Sequence, residues 1–226
     1  MLRQLFDPDS STYSYLIADP ATGAAVLVDP VREQVERDLA LVASMSLQLK
    51  WIVETHVHAD HITGARALRA RSGARTAVSR HCGAEGFDRL LDDGDDVVFG
   101  HEVLHVIATP GHTPGGVCFL WRDRVLTGDT LLIGGCGRTD FQNGSAIALY
   151  ESITTRLFCL PDDTLVYPGH DYRGRRVSTI GEEKATNPRL AGKSRDEFVS
   201  IMENLDLPLP KHLHRAVPAN LQGGSD

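Results

Sequence analysis

The sequence lacks any apolar run near the ~20 residues that span a bilayer, and its N-terminus lacks the apolar stretch of a secretory signal. We therefore expect no membrane association and a cytoplasmic location. Basic residues are in the minority, because 23 lysines and arginines stand against 30 aspartates and glutamates, for a net charge of −7. No basic cluster is present that would attract a phosphate backbone, so we expect no nucleic-acid partner.

Cysteine is also scarce. Cys82, Cys118, Cys136 and Cys159 are widely spaced and form no C-x-x-C pair. This spacing argues against both a disulfide framework and a zinc ribbon, so we expect reduced thiols. Glycines flank Cys136, and we interpret it as a small residue in a tight turn rather than as a reactive thiol.

The sequence does contain roughly nine short β-rich segments separated by turns. Apolar spacing predicts helices over residues 32–46, 62–72 and 145–160, and Ser194 with Glu197 predicts a capped helix over 194–204. Strands in two batches, each followed by helices, favour an α/β fold in which two sheets pack face to face with helices outside. We predict one domain over 1–226, with its core at about 13–204 and a C-terminal extension, 205–226, that runs along the surface and frays at its end.

Side chains that bind metals stand in the segment THVHADH and directly after later strand candidates. They are His56, His58, Asp60, His61, His112, Asp129 and His170. Imidazole and carboxylate groups suit divalent transition metals, and glycines at 111, 128 and 169 would let the chain turn tightly at three of them. A lone histidine is more simply a core or surface residue, but the joint occurrence at strand ends favours a metal site.

The segments THVHADH, PGHTPGG, LTGDTLLIGGCGRTDF and PGHDY, in this order, resemble the metallo-β-lactamase superfamily over residues 13–204. The resemblance implies an αββα sandwich of two mixed β-sheets flanked by helices, with the metal site at one edge of the paired sheets. This agrees with the strand count. It does not fix the chemistry, because hydrolases and oxygenases share the fold.

Two branches of the superfamily compete. In hydrolases that resemble glyoxalase II, two metals activate a hydroxide that attacks a glutathione thioester. The first ion would take His56, His58 and His112, the second Asp60, His61 and His170, and Asp129 would bridge them. In the persulfide dioxygenases, resemblance implies one Fe(II) per chain, held by His56, His112 and Asp129. His58, Asp60, His61 and His170 would then be supporting residues or a vestigial second metal site.

Later segments favour the dioxygenase. The runs GHDYRGRRVSTIGEEKATNPRL and NLDLPLPKHLHRAVPANLQ resemble that family, and the chain ends soon after the predicted sandwich, whereas glyoxalase II continues into a helical domain. The implied reaction, part of sulfide and persulfide catabolism, converts glutathione persulfide, O₂ and water into sulfite and glutathione. Hydrolysis of a glutathione thioester stays the alternative.

The resemblance also suggests supporting residues and partners. Tyr172 and Arg189 are the candidates for binding the glutathione part of the substrate, whose carboxylates call for a cation. Arg138 and Asp140 are predicted to pair and brace the loop after Asp129, in which Cys136 also lies, and Thr113 and Asp171 to orient the neighbouring His112 and His170. The family resemblance further suggests a homodimer and a pathway link to a sulfide:quinone oxidoreductase or a rhodanese.

Overall fold

The computed structural model describes residues 1–210 and 212–225, over which the chain forms twelve strands in two six-stranded sheets and six α-helices. In each sheet, strands that follow one another in sequence lie side by side. The first sheet contains β1 (Leu2–Asp7), β2 (Thr12–Ala18), β3 (Ala24–Val28), β4 (Gln48–Val53), β5 (Arg75–Ser79) and β6 (Arg89–Leu91). The second contains β7 (Asp96–Phe99), β8 (Glu102–Ala108), β9 (Val117–Trp121), β10 (Arg124–Gly128), β11 (Leu165–Pro168) and β12 (Ser178–Thr179).

Both sheets are mixed. In the first sheet, β1, β2 and β3 pair antiparallel, whereas β3 to β6 run parallel. In the second sheet, the pairs from β7 to β10 are antiparallel, β11 lies parallel to β10, and β12 closes the edge antiparallel. The predicted class, two mixed sheets flanked by helices, is confirmed.

Helices cover the outer face of each sheet. They are α1 (Val35–Ser44), α2 (Ala65–Ser72), α3 (Ala146–Ser152), α4 (Ile180–Thr186), α5 (Arg195–Glu203) and α6 (Leu213–Leu221). The four predicted helices correspond to α1, α2, α3 and α5, and Ser194 and Glu197 form the reciprocal cap expected at the start of α5. The sequence reading missed α4 and α6.

Three apolar layers hold the sandwich together. The central layer lies between the sheets and includes Tyr15, Val26 and Phe119. One outer layer packs α3 and α5 against the second sheet, and the other packs α1 and α2 against the first. Each fully buried large side chain contributes about 1.5–3 kcal/mol through loss of apolar surface to water, so the packed sheets form a rigid base for the loops at their edge.

Part of the C-terminal extension forms the helix α6, which packs against the rest of the chain. In α6, Ala216 and Ala219 pack against Ile62, while Val217 and Leu221 join a small cluster with Val78. The prediction of a surface segment is therefore wrong for this helix, because its apolar residues recur at helical spacing and find a complementary face beside the THVHADH loop. Within the residues described, none of the helices combines the length and apolar character needed to cross a membrane.

Candidate metal centre

The first candidate ligand, His56, stands just beyond the end of β4 and is buried. Its Nδ1 lies 3.0 Å from the hydroxyl of Thr55, which itself donates to Asp29 Oδ2 at 2.8 Å. Because that hydroxyl proton is used on the carboxylate, the hydroxyl oxygen accepts from His56, which fixes the proton on Nδ1. Burial and the charges of His58 and His112 hold the pKa of His56 well below its usual value. The ring is therefore neutral and presents a lone pair on Nε2.

The second candidate ligand, His112, lies between β8 and β9. Its Nδ1 lies 2.7 Å from the backbone carbonyl of Arg138, which can only accept, so Nδ1 donates and Nε2 faces the site. The loop that contains Arg138 also carries Gly137, where an added Cβ would lie 2.8 Å from the His112 ring. A glycine there lets the loop approach closely enough to hold the imidazole from behind.

The third candidate ligand, Asp129, follows β10, where Gly128 has a φ of +48° and packs against Thr55. Asp129 Oδ2 lies 3.6 Å from His112 Nε2. Ligand atoms of His56, His112 and Asp129 all lie within 4.8 Å of one another. Asp129 Oδ1 is buried and has no hydrogen-bond donor among the described residues. Two imidazoles held by Nδ1 and a carboxylate oxygen that lacks a donor are a set of groups that fits a divalent metal ion.

A second group of ligand-type residues borders the first. His61 Nδ1 lies 2.8 Å from Asp60 Oδ2, and the Thr12 hydroxyl donates to the same oxygen at 2.9 Å. His170, held at Nδ1 by the Ser11 carbonyl at 3.0 Å, points Nε2 toward Asp129 Oδ1 at 3.5 Å and toward Asp60 Oδ2 at 3.7 Å. Burial opposes ionisation of Asp60, but His61 and His170 outweigh it and hold its pKa well below its usual value.

His58 belongs to a different environment. Its Nε2 lies 3.2 Å from Asp29 Oδ1 and 3.4 Å from Glu54 Oε2, and all three side chains are buried. Burial alone would lower the pKa of His58, but the two carboxylates raise it well above its usual value. A ligand atom of His58 lies within 4.8 Å of one from Asp60 and one from His61, and the group formed by His56, His112 and Asp129 does not include it. The seven predicted positions therefore meet at one edge of the sandwich but in more than one group.

The candidate substrate residues lie at the rim. Tyr172 is 76% exposed, and its ring stacks on that of His170 with centroids 6.1 Å apart. Arg189 is half-buried and donates from Nη1 to the backbone carbonyl of Cys136 at 2.7 Å. Tyr172 is therefore close to the ligand groups, while Arg189 also supports the loop that follows Asp129.

The supporting residues brace the ligand loops in ways that differ in part from expectation. Arg138 pairs with Asp140 as predicted, at 2.6–2.7 Å. The carboxylate of Asp171 accepts from the backbone and guanidinium of Arg175, and its pKa is lowered because these donors outweigh burial. Thr113 Oγ1 has no hydrogen-bond partner within the described chain. Backbone carbonyls, rather than Thr113 and Asp171, therefore orient the His112 and His170 rings.

The cysteine beside the site is a core residue. Cys136 is buried, and its Sγ lies 3.7 Å from the sulfur of Met202. Burial raises the pKa of its thiol to about 11. All four cysteines are free. These facts agree with the interpretation of Cys136 as a small packing residue.

Three residues that support the THVHADH loop were not predicted from the sequence: Asp29, Glu54 and Asn220. Asp29 follows β3 in the run LVDP, which marks the end of a strand, and this signal resembles the ones that located the ligands. Glu54 stands beside the THVHADH segment but looks like an ordinary exposed acid in sequence. Asn220 gives no local signal, because its partners His58, His61 and Thr63 are more than 150 residues away along the chain.

Comparisons with known proteins agree with this geometry. A model of the metallo-beta-lactamase superfamily matches residues 7–170. The mitochondrial persulfide dioxygenase ETHE1 of Homo sapiens is 49% identical over 99% of this chain and 89% of its own length. The crystal structure of ETHE1 from Myxococcus xanthus is 57% identical, covers 99% of both chains and superimposes with a TM-score of 0.97. A hydroxyacylglutathione hydrolase of a Polaromonas strain is 38% identical over 71% of this chain and 62% of its own length.

Proposed function

Because this chain belongs to the metallo-beta-lactamase superfamily and, within it, to the family of the ETHE1 persulfide dioxygenases, we propose that it oxidises glutathione persulfide with O₂. Glutathione persulfide, O₂ and water would give glutathione and sulfite, so that one sulfur and three oxygens leave as sulfite. The observation that carries the proposal is the convergence of the buried His56 and His112 with the partly buried Asp129.

These three side chains suit a mononuclear non-haem Fe(II) centre, with one ion per chain. The chemistry that Fe(II) supplies when bound to two histidines and one carboxylate is a set of open positions at which a persulfide sulfur and O₂ can meet. The chain contributes the orientation of the ligands. Thr55 and the Arg138 carbonyl each hold one imidazole by Nδ1, so neither ring needs to reorganise when it binds.

The surroundings of Asp60 and His58 favour one metal ion per chain rather than two. Asp60 Oδ2 already accepts from the Thr12 hydroxyl and lies 2.8 Å from His61 Nδ1, and the Nε2 atom of His58 faces Asp29 and Glu54. We infer that these residues form the outline of a second metal site and shape the polar wall beside the reacting sulfur. A hydrolase with two metals would instead need these groups as ligands.

Tyr172 and Arg189 are our candidates for holding the glutathione part. The exposed ring of Tyr172 stands next to His170 and can pack against the tripeptide, while the guanidinium of Arg189 can pair with a carboxylate. Cytoplasmic location, a homodimer and a pathway link to a sulfide:quinone oxidoreductase or a rhodanese belong to the same proposal. Light scattering on a sizing column would test the dimer, and cell fractionation would test the location.

Oxygen uptake after anaerobic loading tests the function. Protein loaded with Fe(II) should consume O₂ and form an equal amount of sulfite from glutathione persulfide, whereas protein loaded with Zn(II) should do neither. His56→Ala should abolish uptake, and His105→Ala, a change at an exposed histidine paired with Asp96, should leave it intact. Hydrolysis of a glutathione thioester by the zinc form, without uptake by the iron form, would contradict the proposal.

A further inference from the structure

The helix α6 carries a buried polar side chain that faces the THVHADH loop. Asn220 is only 3% exposed. Its Nδ2 donates to the carbonyl oxygens of His58 at 2.9 Å and His61 at 2.8 Å, and its Oδ1 accepts from the backbone N–H of Thr63 at 2.9 Å. Backbone carbonyls only accept and a backbone N–H only donates, so these partners fix which way the amide points.

These hydrogen bonds close a turn. Residues 58–63 lead from His56 to α2, and all of them except Asp60 are buried. A buried carbonyl or N–H without a hydrogen-bond partner is unfavourable, so three such groups in one turn would otherwise oppose its conformation. One side chain from the far end of the sequence satisfies all three groups.

The position of α6 is itself fixed by several further contacts. Ala216 and Ala219 pack against Ile62, and the N–H of Glu85 donates to the Leu221 carbonyl at 2.7 Å. Beyond the helix, Gly224 has a φ of +83°, and a Cβ there would lie 2.6 Å from the carbonyl oxygen of Thr63. The helix therefore docks closely enough to transmit its position to the loop.

The segment before α6 reaches the other ligand loop. Arg138 donates from Nη1 to the carbonyl of Pro208 at 2.7 Å and from Nη2 to that of Leu207 at 3.1 Å. The carbonyl of Arg138 is the group that orients His112. The C-terminal residues thus contact the loop of His56 through Asn220 and the loop of His112 through Arg138.

We propose that Asn220 is a positioning residue for the metal centre, through which α6 clamps the loop that begins at His56. The ring of His56 packs on that of His58, with centroids 4.1 Å apart, so displacement of the His58 backbone would move the ligand. The inference rests on the proposed function only for the assignment of His56 as a ligand. A role confined to general stability predicts a different result in the following test.

The test compares Asn220→Asp with Val217→Ala. The first variant keeps the side-chain volume and one acceptor for Thr63 but replaces the donor to both carbonyls with an oxygen that repels them. The second loosens the same helix at a partly buried valine whose cluster includes Val57 and Val78, and it leaves the three hydrogen bonds of Asn220 in place. Melting temperature, Co(II) affinity by chelator competition and the visible Co(II) spectrum are measured for each.

We expect Asn220→Asp to weaken Co(II) binding about 10- to 100-fold and to alter the Co(II) spectrum, because substitutions of residues that position a metal ligand usually have an effect of this size. Val217→Ala should lower the melting temperature while Co(II) affinity stays within about twofold of the wild type. Unchanged affinity in Asn220→Asp, or an equal loss in both variants, would overturn the proposal. If Asn220→Asp does not fold, Asn220→Ser replaces it, with the same two outcomes.

This test is independent of the dioxygenase activity. If the wild-type protein binds Co(II) but its Fe(II) form does not consume O₂ with the persulfide, the proposed function fails while the comparison of the variants still decides the role of Asn220. If the wild-type protein does not bind Co(II), the assignment of the ligands and the clamp fail together.

Discussion

Asp29 reaches the candidate ligand His56 through a single hydroxyl group, that of Thr55. The hydroxyl donates to Asp29 Oδ2 at 2.8 Å, and the backbone N–H of Thr55 donates to Oδ1 of the same carboxylate at 2.7 Å. The carboxylate is buried and lies one strand away, so it ties the end of β3 to the start of the ligand loop. The orientation of the His56 ring is thus set by residues outside the group formed by His56, His112 and Asp129.

Thr55→Val should weaken metal binding. The valine has nearly the same shape but lacks the hydroxyl that accepts from His56 Nδ1, so the ring loses its orientation and Asp29 loses a donor. We expect about a 10- to 100-fold loss in Co(II) affinity by chelator competition. Thr76→Val is the matched control, because Thr76 is also buried and bonds an aspartate, Asp88, away from the site. Equal Co(II) affinities for the two variants would show that the Thr55 hydroxyl does not orient His56 for metal binding.

Cys136→Ser should keep wild-type turnover with glutathione persulfide. The thiol is buried, burial raises its pKa to about 11, and no thiolate is therefore available at neutral pH. The cost should be confined to a modest loss of stability, since a hydroxyl replaces a sulfur that packs against Met202. Steady-state oxygen uptake measures turnover. If the turnover of a folded variant fell by more than about tenfold, Cys136 would have a role in the reaction.

Arg189→Ala should raise KM for glutathione persulfide about tenfold and leave kcat within about twofold, because a group that binds the substrate equally in ground and transition states changes affinity alone. Arg195→Ala, which removes an exposed arginine at the start of α5, is the control and should change neither constant. Urea unfolding of both variants checks that the lost contact with Cys136 does not account for the result. An unchanged KM would remove Arg189 from the substrate site.

Asp19→Asn should destabilise the fold at neutral pH but not in acid. The carboxylate follows β2 and accepts hydrogen bonds from the N–H of His101, the hydroxyl of Thr22 and the N–H of Ala21. These bonds lower the pKa of Asp19 from 3.8 to about 2. A depressed pKa adds stability that is complete above the unfolded value of 3.8 and is lost as the pH falls toward 2.

The gap in unfolding free energy between wild type and Asp19→Asn should therefore be constant from pH 7 to about 5 and shrink between pH 4 and 2. Urea unfolding at several pH values measures it, with Asp196→Asn, at a highly exposed residue, as the control. A gap that stays constant down to pH 2 would show that the ionised carboxylate is not what stabilises the turn between β2 and β3 and its contact with His101.

Much of the sandwich was predictable because its signals are local. Alternating apolar runs marked most strands, and the reciprocal cap of Ser194 and Glu197 marked the start of α5. Shorter or more polar elements escaped, such as β6 with three residues, β12 with two, and the half-exposed edge strand β1. Such segments become strands by pairing with a neighbour, and pairing is not visible in a short stretch of sequence.

The ligand residues were predictable for a similar reason, since His56, His112, Asp129 and His170 each follow a strand that ends at one edge of the sandwich. Their division into separate groups was not, because it depends on buried partners. Asp29 and Glu54 draw the Nε2 of His58 toward themselves, and Asn220 holds the turn between His58 and Thr63 from the other end of the chain. Contacts of this range arise from packing rather than from local pattern.

A titration of metal-free protein with Fe(II) tests the central claim most directly. Aliquots of the protein are loaded anaerobically with increasing amounts of Fe(II). Oxygen uptake with glutathione persulfide and the sulfite formed are then measured for each aliquot. We predict that both rise together and stop rising at one Fe(II) per chain, as expected for a single ion at His56, His112 and Asp129. A break at two ions per chain, or no uptake at any loading of a folded protein, would contradict the account.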